Sequence, residues 1–214
     1  MFITFEGPDA SGKTTIINKL IEKIKKIKPD FQYILTREPG GKNIKEAEQI
    51  REIIVNPSSN LSNIAEALLF TTSRRIHLER VIWPSLKEGK TVICDRYFDS
   101  FYAYQGFARG LGLDYVKKLT EMVIENTIPD ITIFFDIKPE ESKIRRTKFR
   151  LVEDRLDSET DKFHNSVYEG YWKLIKADPK RFIVVDASKS IDEVLEETYI
   201  KLIENNKFKK VLGI

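Results

Sequence analysis

Five short stretches of the chain are almost continuously apolar: Phe2–Glu6, Gln32–Thr36, Thr91–Asp95, Ile131–Asp136 and Arg181–Asp186. Alternating apolar and polar positions would mark strands with one wet face. Unbroken runs mark strands buried on both faces, as in parallel sheets. Longer segments with helical spacing lie between them. In the first, Ile16, Ile17, Leu20, Ile21, Ile24 and Ile27 form one stripe, with Lys19, Glu22, Lys23, Lys25 and Lys26 largely opposite. That lysine run reads as a solvated helix face. Strands alternating with helices predict a doubly wound α/β domain, a five-stranded parallel sheet with helices on both faces. No repeat or linker interrupts the order, so residues 1–214 read as one domain. Its ligand site is expected beyond the carboxyl ends of the strands. The segment 56–60 reads as a loop. Residues 145–157 are highly charged and lack regular spacing, and read as a lid-like excursion.

Composition narrows the function. With 41% hydrophobic residues among 214, the chain can bury a core, which excludes wholesale disorder. Lysine and arginine number 36 against 33 acidic residues, a net charge of +3 that gives no footprint for nucleic acid. One cysteine, Cys94, excludes an internal disulfide and a multi-cysteine zinc site. No apolar run approaches the roughly 20 residues of a membrane helix. The first apolar run lacks a basic flank and is cut by Glu6, so no signal peptide is expected and the location is read as cytoplasmic.

The first predicted strand runs into Gly7-Pro8-Asp9-Ala10-Ser11-Gly12-Lys13-Thr14, a full match to the phosphate-binding loop G-x-x-x-x-G-K-[ST]. Its backbone N–H groups wrap a phosphate, Lys13 meets the β- and γ-phosphates, and the Thr14 hydroxyl faces Mg²⁺. The following helix adds its positive N-terminal end. ATP with Mg²⁺ is the expected ligand, held by Gly7, Pro8, Asp9, Ala10, Ser11, Gly12, Lys13, Thr14 and Thr15. No [NT]-K-x-D element is present, which argues against a regulatory GTPase. The length suits a small kinase of a P-loop NTPase fold, and such an enzyme needs arginines for a second phosphate. Arg37 sits where the second strand meets a turn, and Asp95-Arg96-Tyr97 stands at the end of the third strand. Phe70 and Arg74, four residues apart, share a helix face on which an aromatic ring and a guanidinium could hold a base.

Together these elements resemble the thymidylate kinase family, of the bacterial type with lid arginines. The resemblance spans nearly the whole chain: the phosphate loop, T-R-E-P-G-G at 36–41, L-L-F-x-x-x-R at 68–74, D-R-Y-x-x-S-x-x-A-Y-Q-G at 95–106, P-D-I-T at 129–132 and D-R-L-D at 154–157. It implies transfer of phosphate from ATP to dTMP, and it implies a homodimer. Asp9 would meet the deoxyribose 3′-hydroxyl. Arg37 and Arg51 would hold the dTMP phosphate, with Glu38 beside them. Phe70 would stack on thymine, Arg74 would donate to its O4, and Gln105 would read the base edge. Arg96 would meet the dTMP phosphate, and Asp95 would sit near Mg²⁺ through water. Tyr104 would lie under the sugar and crowd a ribose 2′-hydroxyl. Ala10 occupies the loop position that carries an arginine in the other subtype, so charge in transfer is expected from the lid, with Arg146 and Arg150 as the catalytic pair. Phe101 departs from the small polar residue the family often places there, against the base. His77 and His164 read as helix-surface residues. Two rivals remain: a deoxynucleoside kinase with Glu38 as general base, and a regulatory module that binds ATP without transfer.

Overall fold

The structure, a computed structural model, describes residues 1–149, 155–156 and 158–213. Five strands form one sheet: β1 (Phe2–Glu6), β2 (Tyr33–Arg37), β3 (Thr91–Asp95), β4 (Ile131–Asp136) and β5 (Phe182–Asp186). All neighbours pair in parallel, in the order β2-β3-β1-β4-β5. The continuous apolar runs have a direct cause. Phe2, Val92, Cys94, Phe134 and Phe182 point into one core, and Ile3, Phe5, Ile93, Ile133, Phe135 and Val185 point into another on the opposite face. With both faces covered, neither set of alternate positions faces water, and polar strand residues such as Thr4 and Thr132 are buried and bonded to each other, at 2.9 Å.

Helix α1 (Lys13–Ile27) closes the second core together with α9 (Ile191–Glu204) and α10 (Asn206–Leu212). Each of its buried aliphatic side chains contributes roughly 1.5–3 kcal/mol relative to exposure. The stripe ends early: Ile27 is 46% exposed, because the chain leaves the sheet at the helix terminus. The first core is covered by α2 (Lys45–Val55), α3 (Asn63–His77), α6 (Leu113–Ile124) and α8 (Asp161–Ala177). Ser62 starts α3 by accepting the Ala65 N–H at 3.2 Å.

Two expectations shift. β2 begins and ends one residue later than its apolar run, which brings Arg37 into register with Asp95 at the carboxyl edge. The charged segment from 145 begins inside helix α7 (Pro139–Phe149), whose first turn carries Glu140 and Glu141 and whose last carries Arg146 and Lys148. That distribution matches the helix dipole and stabilises a helix that lacks an apolar stripe.

Candidate active site

The carboxyl ends of β1, β2 and β3 lie side by side, and the phosphate loop, Arg37, Asp95 and Arg96 stand at these ends. After β1 the loop turns at Gly7, with φ +142°, where a Cβ would stand 2.8 Å from the Phe135 carbonyl oxygen. Gly12 takes the left-handed conformation at the start of α1. Lys13 folds back over the loop and donates to the carbonyls of Gly7 at 3.1 Å and Pro8 at 2.9 Å and to Ser11 Oγ at 3.3 Å. Burial brings its ammonium down to about 8, and the nearby Arg96 guanidinium adds to the fall. The Thr14 hydroxyl donates to Asp95 Oδ2 at 2.7 Å, so the two residues expected near the metal do meet.

Arg96 is the hub of the site. Its backbone sits at φ +69°, an uncommon conformation for a side-chain-bearing residue. Its guanidinium donates to Asp9 Oδ1 at 2.7 Å, Ser100 Oγ at 2.9 Å and Tyr171 Oη at 3.3 Å. The Tyr104 hydroxyl closes the group by donating to Asp9 Oδ2 at 2.9 Å. Below it lies Glu6, fully buried, accepting from the Tyr97 N–H at 2.7 Å and from the Ser100 and Tyr171 hydroxyls. Burial, reinforced by the charge of Asp99, pushes the Glu6 carboxyl up to about 7. At the end of β2, Arg37 pairs with Glu48 at 2.8 Å, and Arg37 and Arg51 both donate to the Pro39 carbonyl, at 2.9 and 3.1 Å.

The other side of the site is built on α3. Glu66, Phe70, Ser73, Arg74 and His77 recur at helical spacing along its buried face. Phe70 and Phe101 pack at 6.1 Å between ring centres, and Phe101 lies 5.0 Å from the Arg74 guanidinium. Arg74 Nε donates to Glu38 Oε2 at 2.8 Å, and its Nη1 is buried without a partner among the described residues. Gln105 donates through Nε2 to Glu66 at 2.9 Å, which leaves its buried Oε1 likewise unpartnered. Gln105 and Tyr104 sit in a π-helical segment, Tyr102–Ala108, which continues helix α5 (Phe98–Phe101). One pocket is lined by Asp9, Thr14, Arg37, Glu38, Arg51, Phe70, Arg74, Asp95, Arg96, Phe101, Tyr104 and Gln105 together.

The family model for thymidylate kinase matches residues 5–198. The chain belongs to the thymidylate kinase family. A thymidylate kinase of Mycoplasmopsis agalactiae is 61% identical over 208 residues, covering 97% of both chains. One of Mycoplasma mobile is 46% identical over 99% of both. A solved thymidylate kinase of Ehrlichia chaffeensis, 33% identical, superposes with a TM-score of 0.77 over 96% of this chain and 98% of its own.

Not every expected residue joins the site. Arg146 lies outside the pocket lining, with its Nη1 against His164 Nδ1 at 3.3 Å. Arg150 lies outside the described residues, as do Asp154 and Asp157 of the D-R-L-D element. Arg145 reaches the other way, to the Ala187 and Ser188 carbonyls and Glu141. The histidines are not surface residues. His77 is fully buried, bridging Thr36 at 2.7 Å and Glu38 at 3.1 Å, and His164 is buried as well. The signal that could have marked His77 is its place three residues after Arg74, on the same buried face of α3. Glu38 has both oxygens engaged, Oε2 by Arg74 at 2.8 Å and Oε1 by His77 at 3.1 Å. Glu6, Glu66 and Tyr171 were not singled out from the sequence. Each supports a site residue from behind, and no motif spacing marks such a place.

Proposed function

We propose that the chain transfers the γ-phosphoryl group of ATP to the 5′-phosphate of dTMP, giving ADP and dTDP, with the pocket beside Arg96 as the dTMP site. The observation that carries this reading is the pair of unpartnered buried atoms at the base end. Arg74 Nη1 is a donor and Gln105 Oε1 an acceptor. A pyrimidine-2,4-dione presents the complement, an acceptor at O4 and a donor at N3–H. Cytosine presents the reverse at both places.

The acceptor oxygen belongs to a phosphate and is already anionic, so no general base is needed. A bond forms from that oxygen to the γ-phosphorus as the bond to the β–γ bridging oxygen breaks, and ADP leaves with the charge. The work left to the protein is alignment and charge compensation. Lys13 leaves its loop carbonyls for the β- and γ-phosphates. Arg37 and Arg51 hold the dTMP phosphate from one side and Arg96 from the other. Asp9 fixes Arg96 and accepts from the 3′-hydroxyl. Tyr104 fills the space a 2′-hydroxyl would need. Arg146 and Arg150 bring charge from the lid as it closes, which also limits transfer to water.

Thr14 and Asp95 supply a hydroxyl and a carboxylate, hard oxygen donors that suit Mg²⁺. Mg²⁺ held there would offset the charge of the triphosphate. The reading includes a single domain, supported by one sheet to which β1 through β5 all belong. It includes a cytoplasmic location, without a nucleic-acid or membrane partner, supported by ATP as co-substrate and one buried thiol. Among the described residues no helix is long and apolar enough to cross a membrane. It also includes a homodimer. Ile53 of α2, Ile64 and Leu68 of α3 and Tyr115 and Met122 of α6 are exposed, Met122 by 77%, on helices that flank one face of the sheet. A monomer by light scattering would sink the dimer.

The test of function is ADP release with ATP and Mg²⁺ across dTMP, dUMP, UMP, dCMP, AMP, GMP and thymidine. Strong turnover with dTMP, weaker with dUMP and little with the rest is expected. Turnover of thymidine without dTMP would overturn the reading.

A further inference from the structure

Glu66 lies just behind the base pocket and does not line it. It is 1% exposed, yet it carries four hydrogen bonds. Oε1 accepts from Gln105 Nε2 at 2.9 Å and Arg109 Nε at 3.1 Å, and Oε2 accepts from Arg109 Nη2 at 3.3 Å and from Arg155 Nη2. Burial alone would raise this carboxyl. Gln105 and the two arginines outweigh burial and hold it below the ordinary carboxylate range. An ionised carboxylate only accepts. Gln105 must therefore turn its amide nitrogen to Glu66, and its oxygen is left facing the pocket.

An amide left to itself could present either end, since a half-turn exchanges donor for acceptor. We propose that Glu66 is a positioning residue that sets the polarity of the Gln105 amide, so that the pocket demands a ring N–H from the nucleobase and rejects cytosine. The inference rests on the dTMP reading above. Arg155 joins the same arrangement. Its N–H donates to the Val55 carbonyl at 3.1 Å and its Nε to the Ile54 carbonyl at 2.9 Å, and the next residue, Leu156, lines the pocket. The carboxylate that orients Gln105 thus also binds Arg155, which is held to the end of α2.

Glu66→Gln is nearly isosteric and frees the amide to turn. The ratio of kcat/KM for dTMP to that for dCMP should fall about tenfold, the cost of one mispaired buried group. The change should appear chiefly in KM for dTMP, with KM for ATP unchanged. Glu66→Asp keeps an acceptor-only partner and should retain the wild-type ratio. A ratio within twofold of wild type in Glu66→Gln, even with activity lowered, would overturn the inference. The unaltered protein offers an independent check should the variant not fold. Bound [3-¹⁵N]dTMP should show an N3 proton protected from solvent exchange, and exchange as fast as in free dTMP would also overturn it. Wild-type protein that fails to turn over dTMP would bring down both this inference and the functional reading. Turnover with an unchanged ratio would bring down this inference alone.

Discussion

Asp9 and Arg96 meet at 2.7 Å although 87 residues separate them, one from the phosphate loop and one from the end of β3. The register explains the meeting. Phe5 lies opposite Asp95, and the Arg96 N–H donates to the Phe5 carbonyl, so the two strands end level. Arg96→Ala should lower kcat by on the order of 10³-fold if the guanidinium acts in transfer. Circular dichroism should show the fold retained. Turnover within a few-fold of wild type would remove Arg96 from the transfer step.

Lys13 titrates near 8, below the ordinary lysine value of 10.5. Above that pH the free protein holds it largely neutral, and a bound triphosphate favours the ammonium. ATP binding at pH 8.5 should therefore take up protons, at most about three-quarters of a proton per ATP. Calorimetry in two buffers of different ionisation enthalpy measures the number. Equal heats in both buffers would contradict the assignment.

Glu6 makes the stability of the fold depend on pH. Its carboxyl titrates at about 7 in the fold against an ordinary 4.5, so the native state binds more protons than the unfolded chain between those values. Its contribution is fully present below about 4.5 and is lost as pH rises through 7, by about 3 kcal/mol. Glu6→Gln removes that slope. Urea unfolding at pH 5 and pH 7 should show the variant gaining on wild type as pH rises. Parallel curves would refute the raised carboxyl.

Tyr104 is 5% exposed in the pocket wall, with its hydroxyl tied to Asp9. That tie to Asp9 holds the ring in place where the proposed function sets the sugar of dTMP. The wild-type protein should prefer dUMP to UMP, and Tyr104→Ala should reduce that preference about tenfold. Equal turnover of UMP and dUMP by the wild type would show that the ring does not exclude the ribose.

The lid arginines separate by mutation. Arg146→Ala or Arg150→Ala should lower kcat by about 10³-fold, with KM for dTMP little changed, if either compensates charge only in the transition state. Both variants retaining turnover within a few-fold of wild type would move that role elsewhere.

Spacing along the chain was enough for the strands and the phosphate loop, and it marked Arg37, Phe70, Arg74 and Arg96; the other candidate pocket residues came only from the family resemblance. Three of five strands begin and end where the apolar runs do, because strands buried on both faces leave no ambiguity of period. The loop was legible because its glycines and lysine stand at fixed offsets within one turn. Phe70 and Arg74 were legible because a helix repeats its face every three to four residues. What no spacing encodes is a partner brought in from another element. Glu6 gains Ser100 and Tyr171 only once β1, α5 and α8 converge, and Glu66 gains Gln105, Arg109 and Arg155 only across three separate segments. A buried carboxylate looks like any acidic residue until its neighbours are known. Whether it is a solvated surface group or the part that orients an active-site amide is decided by packing, because burial makes each unpaired polar atom costly and so dictates which way its partners turn.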